Sequence, residues 1–212
     1  SLCLAIKLNK NIYWFFIPIL MFLAFFTKQA PTGYFGVLII VISILYLIFN
    51  FRKEVFFFGA LGVLVSVGIF TAYVYFKKIP IDAIITQYFL YPMSLGETRL
   101  EWLLPIEFQR FVLRHKLIYL SLSVPIYLLF VNIFKKKLYI EKKQNFIFLL
   151  LIGTLLIFIA HQLMTINGLY IFFLIPVFAG FSHIYLNNTN KKYLVNFFLL
   201  LSLISTIYYH QK

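Results

Sequence analysis

Seven stretches of this chain run to about the length of a membrane-crossing helix with no Asp, Glu, Lys or Arg inside them, at 11–27, 33–49, 55–76, 117–134, 145–164, 169–186 and 193–209. A helix needs about 20 mostly apolar residues to cross the hydrocarbon core of a bilayer. A transmembrane barrel would instead show strands of about 10 residues that alternate polar and apolar, and runs such as 146–152 do not alternate. The fold expected is therefore an all-α integral membrane protein, one polytopic domain over 1–212 with about seven transmembrane helices. Composition closes the alternative: with 63% hydrophobic and 12% charged residues, the chain has too little polar surface for a water-soluble domain. Gly59, Gly62, Gly68 and Gly153 are expected to let neighbouring helices approach closely.

The 19 Lys and Arg against 6 Asp and Glu give a net charge of +13. In a soluble chain that would point to nucleic acid, whereas in a polytopic one it sets orientation. With the N-terminus cytoplasmic, the inner connections hold Lys7, Lys10, Arg52, Lys53, Lys135, Lys136, Lys137, Lys142, Lys143, Lys191 and Lys192, and no nucleic-acid partner is expected. The single Cys3 excludes an internal disulfide and any Cys-based metal site within one chain.

One connection differs from the rest. Segment 77–116 would be a long outer-face loop, and it carries Asp82, Glu97, Glu101 and Glu107, four of the six acids. Its apolar cluster of Ile84, Ile85, Tyr88, Phe89, Leu90 and Tyr91 fits short amphipathic helices lying in the membrane interface. Pro92 and Gly96 predict a turn before Glu97. Arg99 offers a planar fork suited to phosphate or carboxylate oxygens. Arg110, Arg114, His115 and Lys116 form a second basic set, with Arg110 and Arg114 on one helical face, and suit lipid phosphates.

The same topology places two further pairs on the outer face. Lys28-Gln29 follows the first stretch, and an outer lysine in a short turn calls for a compensating partner such as a phosphate. His161-Gln162 closes the fifth stretch, and an ionisable side chain at membrane depth marks a functional site by default. Lys28, Gln29, Glu97, Arg99, Glu101, His161 and Gln162 are therefore the candidate substrate-binding residues. Lys28, Arg99 and His161 are expected to converge on one outward cavity that takes a phosphate head and a greasy tail, in contact with membrane lipids. The phosphate-binding loop G-x-x-x-x-G-K-[ST], the dinucleotide fingerprint G-x-G-x-x-G and the zinc motif H-E-x-x-H do not occur in the sequence, so nothing supports nucleotide or zincin chemistry. No cofactor and no metal ligand set is identified, and a divalent metal finds no support in the sequence.

The segment Phe25-Phe26-Thr27-Lys28-Gln29-Ala30-Pro31, the loop with Tyr91-Pro92 and Gly96-Glu97-Thr98-Arg99, and His161-Gln162 ahead of Phe172-Phe173-Leu174-Ile175-Pro176 resemble bacterial polytopic glycosyltransferases of the GT-C superfamily. The likeness is to family 39 and the lipid A-core sugar transferases. It implies a multi-pass enzyme of the bacterial inner (plasma) membrane, with segment 77–116 periplasmic and a role in cell-envelope biogenesis. Such an enzyme moves a sugar, hexosyl or pentosyl, from a polyprenyl-phosphate donor to a lipid-linked or cell-envelope glycan acceptor. In that superfamily the catalytic acid sits in the first outer loop. Lys28 to Thr32 holds no acid, and the chain starts at Ser1, so a C-terminal fragment lacking that loop is expected and the catalytic residue is unknown. On this resemblance Lys28 and Arg99 would contact the donor phosphate, and Glu97, Glu101 and His161 would position substrate. Competing readings are an envelope polysaccharide polymerase or ligase, and a transporter or flippase of lipid-linked substrates.

Overall fold

The computed structural model describes residues 1–96, 99, 101, 107–134, 141–165, 171–186 and 192–210. Helix makes up 90% of it, and there is no strand among the described residues. Among the described residues four helices are long and apolar enough to cross a membrane: Gln29–Phe49, Lys53–Lys77, Lys116–Phe134 and Asn145–Thr165. The chain divides into two units, Ser1–Glu101 and Trp102–Lys212.

In the first unit a short α1 (Leu2–Leu8) ends on Asn9 in the left-handed conformation (φ 54°), which asparagine adopts more readily than most residues. The next three helices are α2 (Asn11–Thr27), α3 (Gln29–Phe49) and α4 (Lys53–Lys77). Lys28 is extended, and so is Ala30 (φ −109°, ψ 128°), so the chain reverses within Lys28-Gln29-Ala30. The helical part of α3 starts at Pro31, where a missing N–H costs nothing because the first turn leaves its donors unbonded anyway.

Packing in this unit centres on α2, with α4 laid along one side of it and α3 along another. Gly62 is what brings α4 close: a Cβ there would stand 2.3 Å from the Phe15 carbonyl oxygen and 3.2 Å from Pro18 Cγ. Gly59 and Gly68 have open space where a Cβ would go, so of these three expected contact glycines only Gly62 serves that purpose. Arg52 ties the start of α4 to the α1–α2 junction by donating to the side-chain oxygens of Asn9 and, at 3.1 Å, Asn11. Outside these contacts α3 and α4 leave Val37, Ile40, Ile48, Phe56, Phe57, Leu64 and Phe76 exposed. A band of bare apolar side chains of this size is not stable in water, but it is what lipid chains cover.

After α4 the chain coils again. α5 (Ile81–Ile85), a π-helical turn (Thr86–Leu90) and α6 (Tyr91–Ser94) follow one another without a break, and helical geometry resumes at Gly96. Pro92 lies in the first turn of α6, so it does not end the helix as a turn residue would. The expected turn contracts to Leu95.

The second unit opens with a π-helical turn (Gln109–Leu113) that leads into α7 (Lys116–Phe134). Then come α8 (Asn145–Thr165), α9 (Leu174–Leu186) and α10 (Lys192–His210). Phe148, Leu155 and Ile159 from α8, Ile118 and Leu128 from α7 and Phe178 from α9 are buried among one another's helices. Asn132 donates to Asn145 at 2.5 Å and so pins α7 to the start of α8. The sixth apolar stretch is shorter than its sequence: Ile171–Phe173 form a turn, and α9 begins only at Leu174 and spans 13 residues.

Candidate functional site

The first unit holds a half-open cavity beside the Lys28-Gln29 reversal. This cavity of about 440 Å³ is lined by Phe22 and Phe26 of α2, by Ile69, Phe70, Tyr73 and Val74 of α4, and by Ala83, Ile84, Gln87 and Tyr88 of the α5 coil, with Leu23 and Ile79. Its aromatic wall is a continuous run of tilted and edge-on ring contacts. Phe22 meets Phe70 at 5.5 Å, Phe26 meets Phe70 at 4.8 Å, and Tyr88 closes on Phe26 at 4.8 Å between ring centroids. Offset and edge-on ring pairs at these separations are attractive beyond the area they bury. Such a wall suits an extended, branched or unsaturated hydrocarbon.

Backbone chemistry holds the lid of this cavity in place. In the π turn the Tyr91 N–H reaches the Thr86 carbonyl, five residues back. Continuing that register, the Gln87 carbonyl would accept from residue 92, which is Pro92 and has no N–H. The Gln29 side-chain amide fills the gap, donating to Gln87 at 3.2 Å. The α2–α3 reversal and the α5 coil are thereby locked together over the aromatic wall.

Of the sequence candidates in this unit, Gln29 is half-buried at the cavity's edge and Lys28 beside it is exposed. Arg99 is half-exposed and its backbone N–H bonds the Leu95 carbonyl at 3.2 Å, while Glu101 is exposed. Neither Lys28 nor Arg99 is among the described residues that line the cavity. Glu97 lies outside the described residues. Lys77 and Lys78, both exposed, lead directly into Ile79 of the cavity wall, and exposed Asp82 occupies the first turn of α5, the end a helix dipole favours for an acid.

His161 and Gln162 belong to the second unit, on α8, where they are 5% and 2% exposed. Near the start of α7, His115 is also buried, and its Nδ1 lies 3.0 Å from the Phe111 carbonyl. Tyr119 donates to that same oxygen at 3.0 Å. A carbonyl only accepts, so His115 Nδ1 carries a proton and Nε2 holds the lone pair of the neutral ring. Burial pushes the His115 pKa below its ordinary value, the bond to Phe111 opposes this, and the neighbouring Arg114 charge adds to the lowering. Among the described residues no three His, Cys, Asp or Glu side chains stand together as a metal site.

Gln87 and Phe70 are the site residues that sequence reasoning misses. Phe70 sits in an apolar stretch where every position looks alike. Gln87 contributes its backbone, which no side-chain pattern reports.

The architecture is that of an all-helical chain with several membrane-length apolar helices and an apolar cavity at the end of three of its helical elements. No family model matches the chain, and neither a curated protein nor a solved structure does.

Proposed function

We propose that this chain is a multi-pass inner-membrane glycosyltransferase of the GT-C type, which takes a sugar from a polyprenyl-phosphate donor on the periplasmic face. In this reading α2, α9 and α10 join the four longer helices as spans, and the N-terminus is cytoplasmic. The observation that carries the proposal is the aromatic cavity over the Lys28-Gln29 reversal. It offers an isoprenoid chain a wall of contacting rings, and the residues that build it run directly into Lys28, Lys77 and Lys78, which suit a phosphate head. Arg99, on the same segment as α5, supplies a further cation for the sugar phosphate. The acid that would act as general base is unassigned.

Two measurements on the purified, detergent-solubilised chain test this. A photoreactive polyprenyl phosphate should label peptides containing Phe26, Phe70 or Tyr88, and excess unlabelled polyprenyl phosphate should suppress the labelling. Labelling confined to other peptides would remove the cavity from the reading. Liposomes holding the chain should release or transfer sugar from a panel of polyprenyl-phospho-hexoses and polyprenyl-phospho-pentoses. Binding without turnover of any donor would favour transport of the lipid-linked substrate over transfer.

A further inference from the structure

The second unit carries a shallow, open concavity, lined largely by polar and charged residues, that the proposed transferase site does not use. Glu107, Gln109, Arg110, Leu113 and Arg114 line it, with a volume of about 460 Å³ open to the surface. Both guanidinium groups and the Gln109 amide are donors, and Glu107 is the only carboxylate among the lining residues. The set therefore has a net positive charge.

Its place in the chain fixes its depth. The Gln109–Leu113 turn coils into α7 at Lys116, where one of the four membrane-length helices begins. This is where a span meets the headgroup layer, and basic residues there draw anionic lipid. Phe108 and Leu113, flanking the arginines, are 67% and 49% exposed. Exposed apolar side chains beside the exposed Arg114 and the half-buried Arg110 describe a segment lying in the interface, with rings toward acyl chains and charges toward phosphates.

The segment is also held rigid. The Phe111 carbonyl, bypassed when the His115 N–H bonds Val112 instead, accepts from both the His115 ring and the Tyr119 hydroxyl. These bonds fasten the turn to the first coil of α7 and so fix the backbone from which the two arginines project.

We propose that this concavity binds the phosphate of an anionic membrane phospholipid, with Arg110 and Arg114 on the phosphate oxygens and Phe108 and Leu113 among the acyl chains. The proposal rests on the membrane reading of α7 but not on transferase activity, so failure to turn over any sugar donor leaves it standing.

The test uses the whole chain in a neutral detergent, with affinity measured for dioctanoyl phosphatidylglycerol and dioctanoyl phosphatidylcholine. The anionic phosphatidylglycerol should bind more tightly, and Arg110→Gln and Arg114→Gln should each weaken its binding by about fivefold, the worth of one basic residue near a charged lipid surface. Arg114 is exposed, so its replacement disturbs no packing and separates lost binding from lost folding. The pair Lys7→Gln/Lys10→Gln removes as much charge elsewhere and should leave the affinity unchanged. Equal affinity for the two lipids, or equal loss in the lysine pair, would overturn the site. Inorganic phosphate displacing the lipid as effectively as phosphatidylglycerol itself would show a free anion to be the ligand and overturn the lipid assignment.

Discussion

The side-chain amide of Gln29 donates to the backbone carbonyl of Gln87 at 3.2 Å, and Pro92 is the reason that carbonyl is open to it. The π turn shifts the helical register by one residue, and the donor that the shifted register calls for is the one residue type without an N–H. Gln29→Ala should therefore cost about 1 kcal/mol, the usual net worth of a protein hydrogen bond, and lower the thermal midpoint in detergent. Pro92→Ala restores a backbone donor to the coil, so the Gln29→Ala penalty should shrink in that background. A double-mutant cycle reads the difference directly. Equal penalties in both backgrounds would show that the Gln87 carbonyl does not depend on Gln29.

Gly62 and Gly68 sit on the same helix and should respond to alanine with opposite signs. Alanine is worth about 1 kcal/mol more than glycine in a helix interior. At Gly68 nothing lies within 4 Å of the added Cβ, so that gain should appear as higher resistance to denaturing detergent. At Gly62 the methyl group would stand 2.3 Å from the Phe15 carbonyl oxygen, which is backbone and cannot rotate away. Separating α2 from α4 to make room should cost about 1–3 kcal/mol, which outweighs the propensity gain and leaves Gly62→Ala destabilised.

Arg52 should not be replaceable by lysine. Its Nη1 and Nη2 reach two different side chains, Asn9 and Asn11, and its Nε lies 4.0 Å from Glu54. A lysine ammonium is a single point and cannot span that fork. Arg52→Lys should lose most of what Arg52→Ala loses, read as faster proteolysis near Asn9, while Glu54→Ala should have little effect because an exposed ion pair is worth well under about 1 kcal/mol.

The helices were legible in the sequence because each apolar stretch is bounded by charges or turn residues. The stretch 11–27 and α2 agree to the residue, and 145–164 differs from α8 by one. The sixth stretch departs from the structure at Ile171 to Phe173, which form a turn, since these residues are as apolar as the helix that follows and hydrophobicity alone does not mark where coiling begins. Lys28-Gln29 stood out because polar residues between apolar stretches are conspicuous. The aromatic cavity did not, because Phe22, Phe26, Phe70 and Tyr88 come from three elements and only packing selects them among so many Phe and Tyr residues. The π turn was equally hidden, since its origin is a backbone register.

His115 gives the second unit a pH dependence of definite sign. Its ring is 1% exposed, and burial holds its pKa below the ordinary value, with the bond to the Phe111 carbonyl opposing and the Arg114 charge assisting. In the unfolded chain the ring titrates near its ordinary value of about 6.5, so between the two values the unfolded state binds more protons than the folded one. Stability then rises with pH through that window: the contribution of neutral His115 is whole above about 6.5 and is lost as the pH falls toward the folded value. His115→Asn keeps a side-chain amide donor for the Phe111 carbonyl but does not titrate. Unfolding midpoints measured from about pH 7.5 down to about 5, across the histidine range, should fall more steeply for the native chain than for His115→Asn. Parallel curves would mean that His115 protonates equally well in both states and that its burial is not what shapes the acid response.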